Sequence, residues 1–285
     1  MIRAAVLMLA LGWAAPAAAL PAIWTVRDAD SELVLFGSIH LLPPGLAWRP
    51  AALDAALAGA DDLWLEIPSD PASQQEAAAL VAPLAYLPAG QTLDAKLSRA
   101  GRARLRRAAE RLGLPLPQLQ AMRPWMAEVM IAGAQAARGG ASGAGGVEQA
   151  LANDPRRPEN MMAFETLAQQ AQLFSGAPEA EQAVSLEMSL RDIDKDPRGY
   201  ERLVKAWMSG DLKALDREAV APLRREAPAT FKRLVADRNA AWVETLRARL
   251  AGSGRTVVVV GAGHLIGPLG LPARLRALGY EVVGP

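Results

Sequence analysis

The segments able to form strands lie near the two ends of this chain, and the long stretch between them is patterned for helices. Near the start, Ile23-Trp24-Thr25-Val26 alternates in polarity, a polar turn follows at Asp28 to Ser31, and Glu32 to Phe36 completes what reads as a hairpin. Asp62 to Ile67 is a further short apolar strand, interrupted by Glu66. Near the other end, Thr256 to Val260 is strongly β-branched, the pattern of a strand covered on both faces, and Tyr280 to Val283 reads as a last strand. From about Pro71 to Leu250, Ala, Leu, Glu and Arg dominate, and apolar residues recur every three or four positions. This spacing predicts helices near 50–58, 72–82, 98–112, 118–137, 160–174, 178–193, 198–208, 228–250 and 268–278. A sheet assembled from such segments must draw on both ends of the chain. The expected fold is therefore α/β, with a central mixed sheet built from both chain ends and a large helical insertion (about 71–250) in one discontinuous domain spanning 20–285.

Composition narrows the function classes. With 51% hydrophobic and 21% charged residues, the chain can bury a real core. A formal net charge of +1 gives no whole-chain electrostatic case for nucleic acid or an anionic membrane. The run Arg102, Arg104, Arg106, Arg107 and Arg111 has helical spacing and reads as a solvated helix face. The chain has no cysteine, which excludes disulfides, thiolate zinc sites, cysteine nucleophiles and a lipid-anchored N-terminus. Arg3, the apolar stretch Ala4 to Trp13 and Ala17-Ala18-Ala19 read as a signal peptide over residues 1–19, cleaved after Ala19. The expected product is periplasmic or secreted, and no second apolar segment reaches membrane-spanning length.

Chemistry concentrates at strand ends. The chain has two histidines, and each closes a Gly-x-x-His tetrapeptide after a β-type run. The first is Gly37-Ser38-Ile39-His40, the second Gly261-Ala262-Gly263-His264. Histidine titrates near neutral pH and is the commonest metal ligand. Ligands of open α/β sheets bind beyond the carboxyl ends of the strands, where His40, Glu66 and His264 would all lie. Meeting in one cleft, these three would suit a divalent ion such as zinc, manganese or cobalt, which activates water by lowering its pKa. Arg238, beside Asn239 and four residues before Trp242, could ion-pair structurally, clamp a carboxylate or stabilise an oxyanion. The glycines of Gly139 to Gly146 read as a mobile loop and lack the Lys-Ser/Thr of a phosphate loop. Val257 to Gly263 resembles a dinucleotide-binding turn, but that fingerprint needs an acid at the end of the next strand, and the strand ending at Val283 carries its acid, Glu281, early. Neither a Gly-x-Ser-x-Gly elbow nor a His-Glu-x-x-His helix is present.

Taken together, the motifs resemble those of the TraB/GumN family, related to the TIKI proteins and more distantly to erythromycin-esterase-like and ChaN-like proteins. Three segments carry the likeness: Phe36 to Leu42 with its Gly-x-x-His, Leu63 to Ile67 with its Leu-x-Glu, and Val257 to Leu271 with its Val-Gly-x-Gly-His-Leu. Further echoes are Arg123-Pro124-Trp125, Gly146-Val147-Glu148, Phe164-Glu165-Thr166 with Gln169, Trp207 with Gly210-Asp211, and Arg238-Asn239. Glu148 stands where the family usually has aspartate. The resemblance implies an α/β core with an inserted helical region and a TIKI-like metal-dependent hydrolase acting on a peptide or small-molecule substrate. His40, Glu66 and His264 would be the metal or catalytic residues, Arg238 a supporting group and Glu165 a further carboxylate. Two alternatives use the same residues: a metal-independent, esterase-like hydrolase with a histidine as general base, or a non-enzymatic protein binding a small ligand, peptide or haem.

Overall fold

The computed structural model describes residues 20–285 of the chain; the expected signal peptide at residues 1–19 lies outside them. Six strands form one mixed sheet: β1 (Ile23–Arg27), β2 (Ser31–Ser38), β3 (Asp62–Leu65), β4 (Asn160–Ala163), β5 (Gly254–Gly261) and β6 (Glu281–Val283). Their spatial order is β4-β3-β5-β2-β1-β6. The hairpin β1–β2 is antiparallel, and β6 adds antiparallel to the free edge of β1. Between β2 and β3 lies β5, parallel to both, so a strand from the end of the chain becomes the centre of a sheet begun at its start.

The valines of β5 explain its place. Val257, Val258, Val259 and Val260 are all fully buried. Val257 and Val259 pack on one face with Val34, Phe36, Leu63 and Leu65, where Phe36, Trp48 and Trp207 also meet ring to ring. Val258 and Val260 pack on the other face with Leu33, Leu35, Trp242 and Leu246. A third core, including Leu105, Ile131, Leu186 and Leu190, lies wholly among helices.

Several expected boundaries change. Residues 160–163, read as the start of a helix, are strand β4, parallel to β3, and the helix runs Leu167–Ser175. Helical spacing cannot distinguish a four-residue edge strand from a first helical turn. The helix expected over 118–137 is two, Leu116–Gln120 and Pro124–Arg138, because Pro124 lacks an amide hydrogen and starts the second. Helical segments fill 212–226, where none was expected. The long helix expected at 228–250 contains a wide π turn at Lys232–Ala236, where the amide of Asp237 reaches back to the carbonyl of Lys232.

The glycine-rich segment 139–146 is pinned. Leu42 and Ser142 exchange backbone hydrogen bonds of 3.2 and 3.0 Å, and the amide of Val147 donates to the carbonyl of Ile39 at 3.2 Å. A Cβ on Gly145 would overlap the carbonyl of Leu42, and one on Gly146 the carbonyl of His40. Glycine here permits close approach of two backbones. The arginine run is exposed at Arg106 and Arg107 and half-buried at Arg102, Arg104 and Arg111; Arg107 binds Asp194 at 2.7 Å, Arg102 donates to the carbonyl of Leu97 at 3.0 Å, and Arg106 pairs with Asp94.

Candidate functional site

The parallel strands β2, β3, β4 and β5 deliver their carboxyl ends to one edge of the sheet, and the sequence-predicted residues gather there. His40 follows β2 by two residues, Glu66 follows β3 directly, and His264 ends the single tight turn after β5. Glu165 stands in the short turn between β4 and the next helix. That turn is set by Thr166, which caps the helix in a reciprocal box with Gln169, and by the amide of Glu165 donating to the carbonyl of Glu66 at 2.9 Å. Arg238 and Asn239 come from the first turn of the helix Asp237–Leu250, just after the π turn. His40, Glu66, Arg238 and His264 line one cleft of about 690 Å³.

Arg238 is the centre of the buried part. Its Nε donates to Glu165 Oε1 at 2.7 Å, and Nη2 donates to Glu66 Oε2 at 2.6 Å and to Glu165 Oε2 at 3.0 Å. Nη1 donates to the carbonyl of Leu234 at 3.1 Å and lies 3.0 Å from His264 Nε2. A guanidinium has five N–H groups, and these five contacts use them all. The plane lies 4.6 Å from the ring of Trp242. Arg238 therefore acts as a fixed charge holding two carboxylates and an imidazole, with no N–H left for a bound ligand.

Asn239 settles the tautomer of His264. Its Nδ2 donates to the carbonyls of His264 and Leu269 at 3.1 and 2.8 Å, so its Oδ1 is the atom facing His264 Nδ1 at 2.7 Å. Nδ1 must carry the proton, and Nε2 is the acceptor that Arg238 meets. Burial, with Arg238 and His40 nearby, outweighs the pull of Glu66 and lowers the pKa of His264 to about 4. The ring is neutral at physiological pH.

Glu66 is ionised. Burial works to raise its pKa, but His264, Arg238, His40 and the amide of Gly261 outweigh it and hold it at about 2. Oε1 accepts from that amide at 2.7 Å, while Oε2 accepts from Arg238 and, at 3.3 Å, from Gln170 Nε2. His40 differs from His264. Its side chain is 67% exposed, and Nδ1 lies 2.7 Å from Glu148 Oε1. The charge of Glu148 raises the His40 pKa to about 9. Burial would raise the Glu148 carboxyl, but His40 and a hydrogen bond from the Ser38 hydroxyl prevail and keep it ionised.

Sequence reasoning placed His40, Glu66 and His264 at strand ends, where the structure has them together; Arg238, Glu165 and Glu148, which entered through an open reading or the family likeness, join them at the same edge. Contacts within the cluster that it did not foresee are those of Ser38 with Glu148, Gln170 with Glu66, and Asn239 with the His264 ring. Ser38 and Asn239 lie inside motifs already singled out; Gln170 carries no signal beyond helical spacing. Among the described residues, no three His, Cys, Asp or Glu side chains are grouped to hold a metal ion. The donor set explains this: Arg238, a permanent cation, engages both Glu66 Oε2 and His264 Nε2, the atoms that would have to share the ion. As arranged, His40, Glu66 and His264 do not fit a shared metal.

Residues 22–283 match the sequence profile of the TraB/PrgY/gumN family, and the chain belongs to it. Among its relatives are proteins named "Uncharacterized protein YbaP" in Escherichia coli (strain K12) and Shigella flexneri. Each is 27% identical over 263 residues, covering 90% of this chain and 92% of the relative. No solved structure matches.

Proposed function

We propose that this member of the TraB/PrgY/gumN family is a hydrolase, acting on a carbonyl substrate outside the cytoplasm, in which His40 moves the proton. The observation that supports the reading best is the contrast between the two histidines in one cleft. His40 is open to the cleft, braced by a carboxylate and pushed up to about 9; His264 is buried, neutral and bonded through both ring nitrogens. Environments that push two titratable groups apart mark their roles.

Glu148 holds the His40 ring by Nδ1 and strengthens it as a base, the part a carboxylate plays for a catalytic histidine. In its neutral form His40 would take a proton from water as the water oxygen attacks the carbonyl carbon, then give that proton to the leaving group. Glu66 has four lone-pair sites, three of them filled, and the fourth would orient the attacking water. Arg238, Glu165, Asn239 and His264 are positioning residues that fix Glu66. Because Arg238 has spent its five N–H groups, its effect on the transition state is through charge and not through contact.

The test is hydrolysis of a panel of esters, amides and peptides by purified protein, with and without prolonged chelation, alongside its bound metal content. The proposal expects activity that survives chelation and is lost in His40→Ala. Stoichiometric divalent metal, lost together with activity on chelation and from both His40→Ala and His264→Ala, would instead establish the metal-dependent mechanism. Wild type inert on the whole panel, binding haem or a peptide without turnover, would establish the binding role.

A further inference from the structure

The cleft has two lobes that share His40, Glu66, Ile67 and Gln170 and otherwise differ in chemistry. The larger lobe, about 690 Å³, is walled by aliphatic and aromatic side chains from distant parts of the chain, among them Val81, Met126, Val129, Phe174, Leu223 and Leu234. Val129 is a large apolar side chain left 47% exposed on this wall. The smaller lobe, about 330 Å³, is more polar than the larger one and acidic: Glu66, Glu148, Gln149 and Gln170 line it beside Ile67 and Pro68, and its cations are His40 in the lining and Arg238 behind Glu66.

Each lobe limits what can enter it. A peptide backbone drawn through the larger lobe would bring an N–H and a C=O with every residue, and each would need a partner. The walls away from the floor are apolar, and an unpaired buried amide is costly. An arm without hydrogen-bonding groups meets no such penalty. Around the smaller lobe the carboxylates of Glu66 and Glu148, with Glu165 behind Glu66, face two cations, His40 and Arg238, and the excess negative charge repels an anionic group.

Resting on the hydrolase reading of the same site, we infer that the substrate is an amphiphilic ester or amide: an alkyl or aromatic arm fills the larger lobe, and a neutral or cationic group fills the smaller. The scissile carbonyl lies where the lobes meet, over His40 and Glu66. Hydrolysis adds the water oxygen to the carbonyl carbon and breaks its bond to oxygen or nitrogen. One water proton leaves on the alcohol or amine, and the other stays with the carboxylic acid, which ionises.

Two measurements test the inference separately from the activity. In the first, kcat/KM is measured for p-nitrophenyl esters from acetate to dodecanoate. Wild type should gain about two- to fourfold per added methylene. Val129→Asp, with unchanged circular dichroism, should flatten this rise. In the second, calorimetry below the micellar range compares dodecyltrimethylammonium with dodecanoate. The cation should bind about tenfold or more tightly than the anion, and Val129→Asp should weaken it. A flat chain-length series with hydrolysis retained overturns the apolar arm and leaves the hydrolase standing. Chain binding weakened by Val129→Asp, with no turnover of any ester, supports the arm and overturns the hydrolase. Preferential cleavage of polar peptides, or tighter binding of dodecanoate, overturns the substrate class.

Discussion

His40 and His264 are driven apart by their neighbours: one meets a carboxylate in the open, the other a guanidinium in the interior. Since the chain has two histidines, imidazole nuclear magnetic resonance resolves both. One ring should titrate near 9, and the other should stay neutral down to about 4. Glu148→Gln should return His40 toward its ordinary 6.5. The stabilising share of His40 is fully present below its ordinary pKa and is lost as pH rises through about 9. For Glu66 the sign reverses: its share is present above the ordinary carboxyl value and is lost as pH falls toward about 2. If His40 is the base, kcat/KM in wild type should climb with pH, pass half its maximum near 9 and level off above it, and in Glu148→Gln the plateau should be lower and reached earlier. Arg238→Gln tests the buried charges. It leaves Glu66 and Glu165, both about nine-tenths buried, without their cation, and should destabilise the protein by about 3–5 kcal/mol in chemical denaturation. At this scale the histidines, Glu66 and Arg238 were legible because their residue types are rare or out of place in apolar runs. Which histidine titrates was not legible, because Glu148 and Asn239 reach them from distant segments.

Elements decide whether those residues meet. The strand 160–163 and the π turn 232–236 escaped the sequence pattern, and both matter: one delivers Glu165, and the other precedes Arg238 and offers the Leu234 carbonyl to it. Short strands and π turns carry no periodicity of their own. The segment 139–146 looked flexible by composition, yet its glycines are what lets it lie against the His40 loop. Gly146→Ala would press a methyl group into the His40 carbonyl and push the helix carrying Glu148 away. The expected result is a loss of about 1–3 kcal/mol and a His40 pKa moved down toward 6.5, read by denaturation and by the same imidazole titration. A second contact between elements has the opposite sign. Glu128, on the helix Pro124–Arg138, accepts from Ser185 at 3.0 Å and Ser189 at 2.6 Å on the helix Glu179–Lys195. Burial raises its pKa against those hydrogen bonds, so the fold binds this proton more tightly than the unfolded chain and loses stability as pH rises. Glu128→Gln, which keeps the neutral form, should raise the Tm by about 2–4 °C at pH 8 and leave it unchanged at pH 4.

At the scale of the molecule, the chain must close before it can have a site. The α/β class and the joining of both ends in one sheet followed from where the β-branched runs lie, and the four buried valines of β5 predicted a central strand. The cleft walls were not legible, since their apolar residues have the same helical spacing as core residues and only the packing of helices against the sheet leaves them facing a void. The closure has a consequence for truncation. A chain ended at Gly252 loses β5, the strand that pairs eight residues of β2 and four of β3, and with it His264. Both faces of the remaining sheet would be open at its centre, and no cooperative thermal transition should survive. A chain ended at Gly279 loses the edge strand β6 with the packing of Tyr280 and Val282, the 3.0 Å hydrogen bond from Trp24 Nε1 to the Pro285 carbonyl, and the bonds from Arg276 to the carbonyls of Val282 and Gly284. That loss should amount to about 1–3 kcal/mol, with unfolding still cooperative. The imidazole spectrum should keep one ring titrating near 9 and one silent above about 4. Should the shorter truncation also erase the histidine contrast, the site would depend on the edge of the sheet and not on its centre.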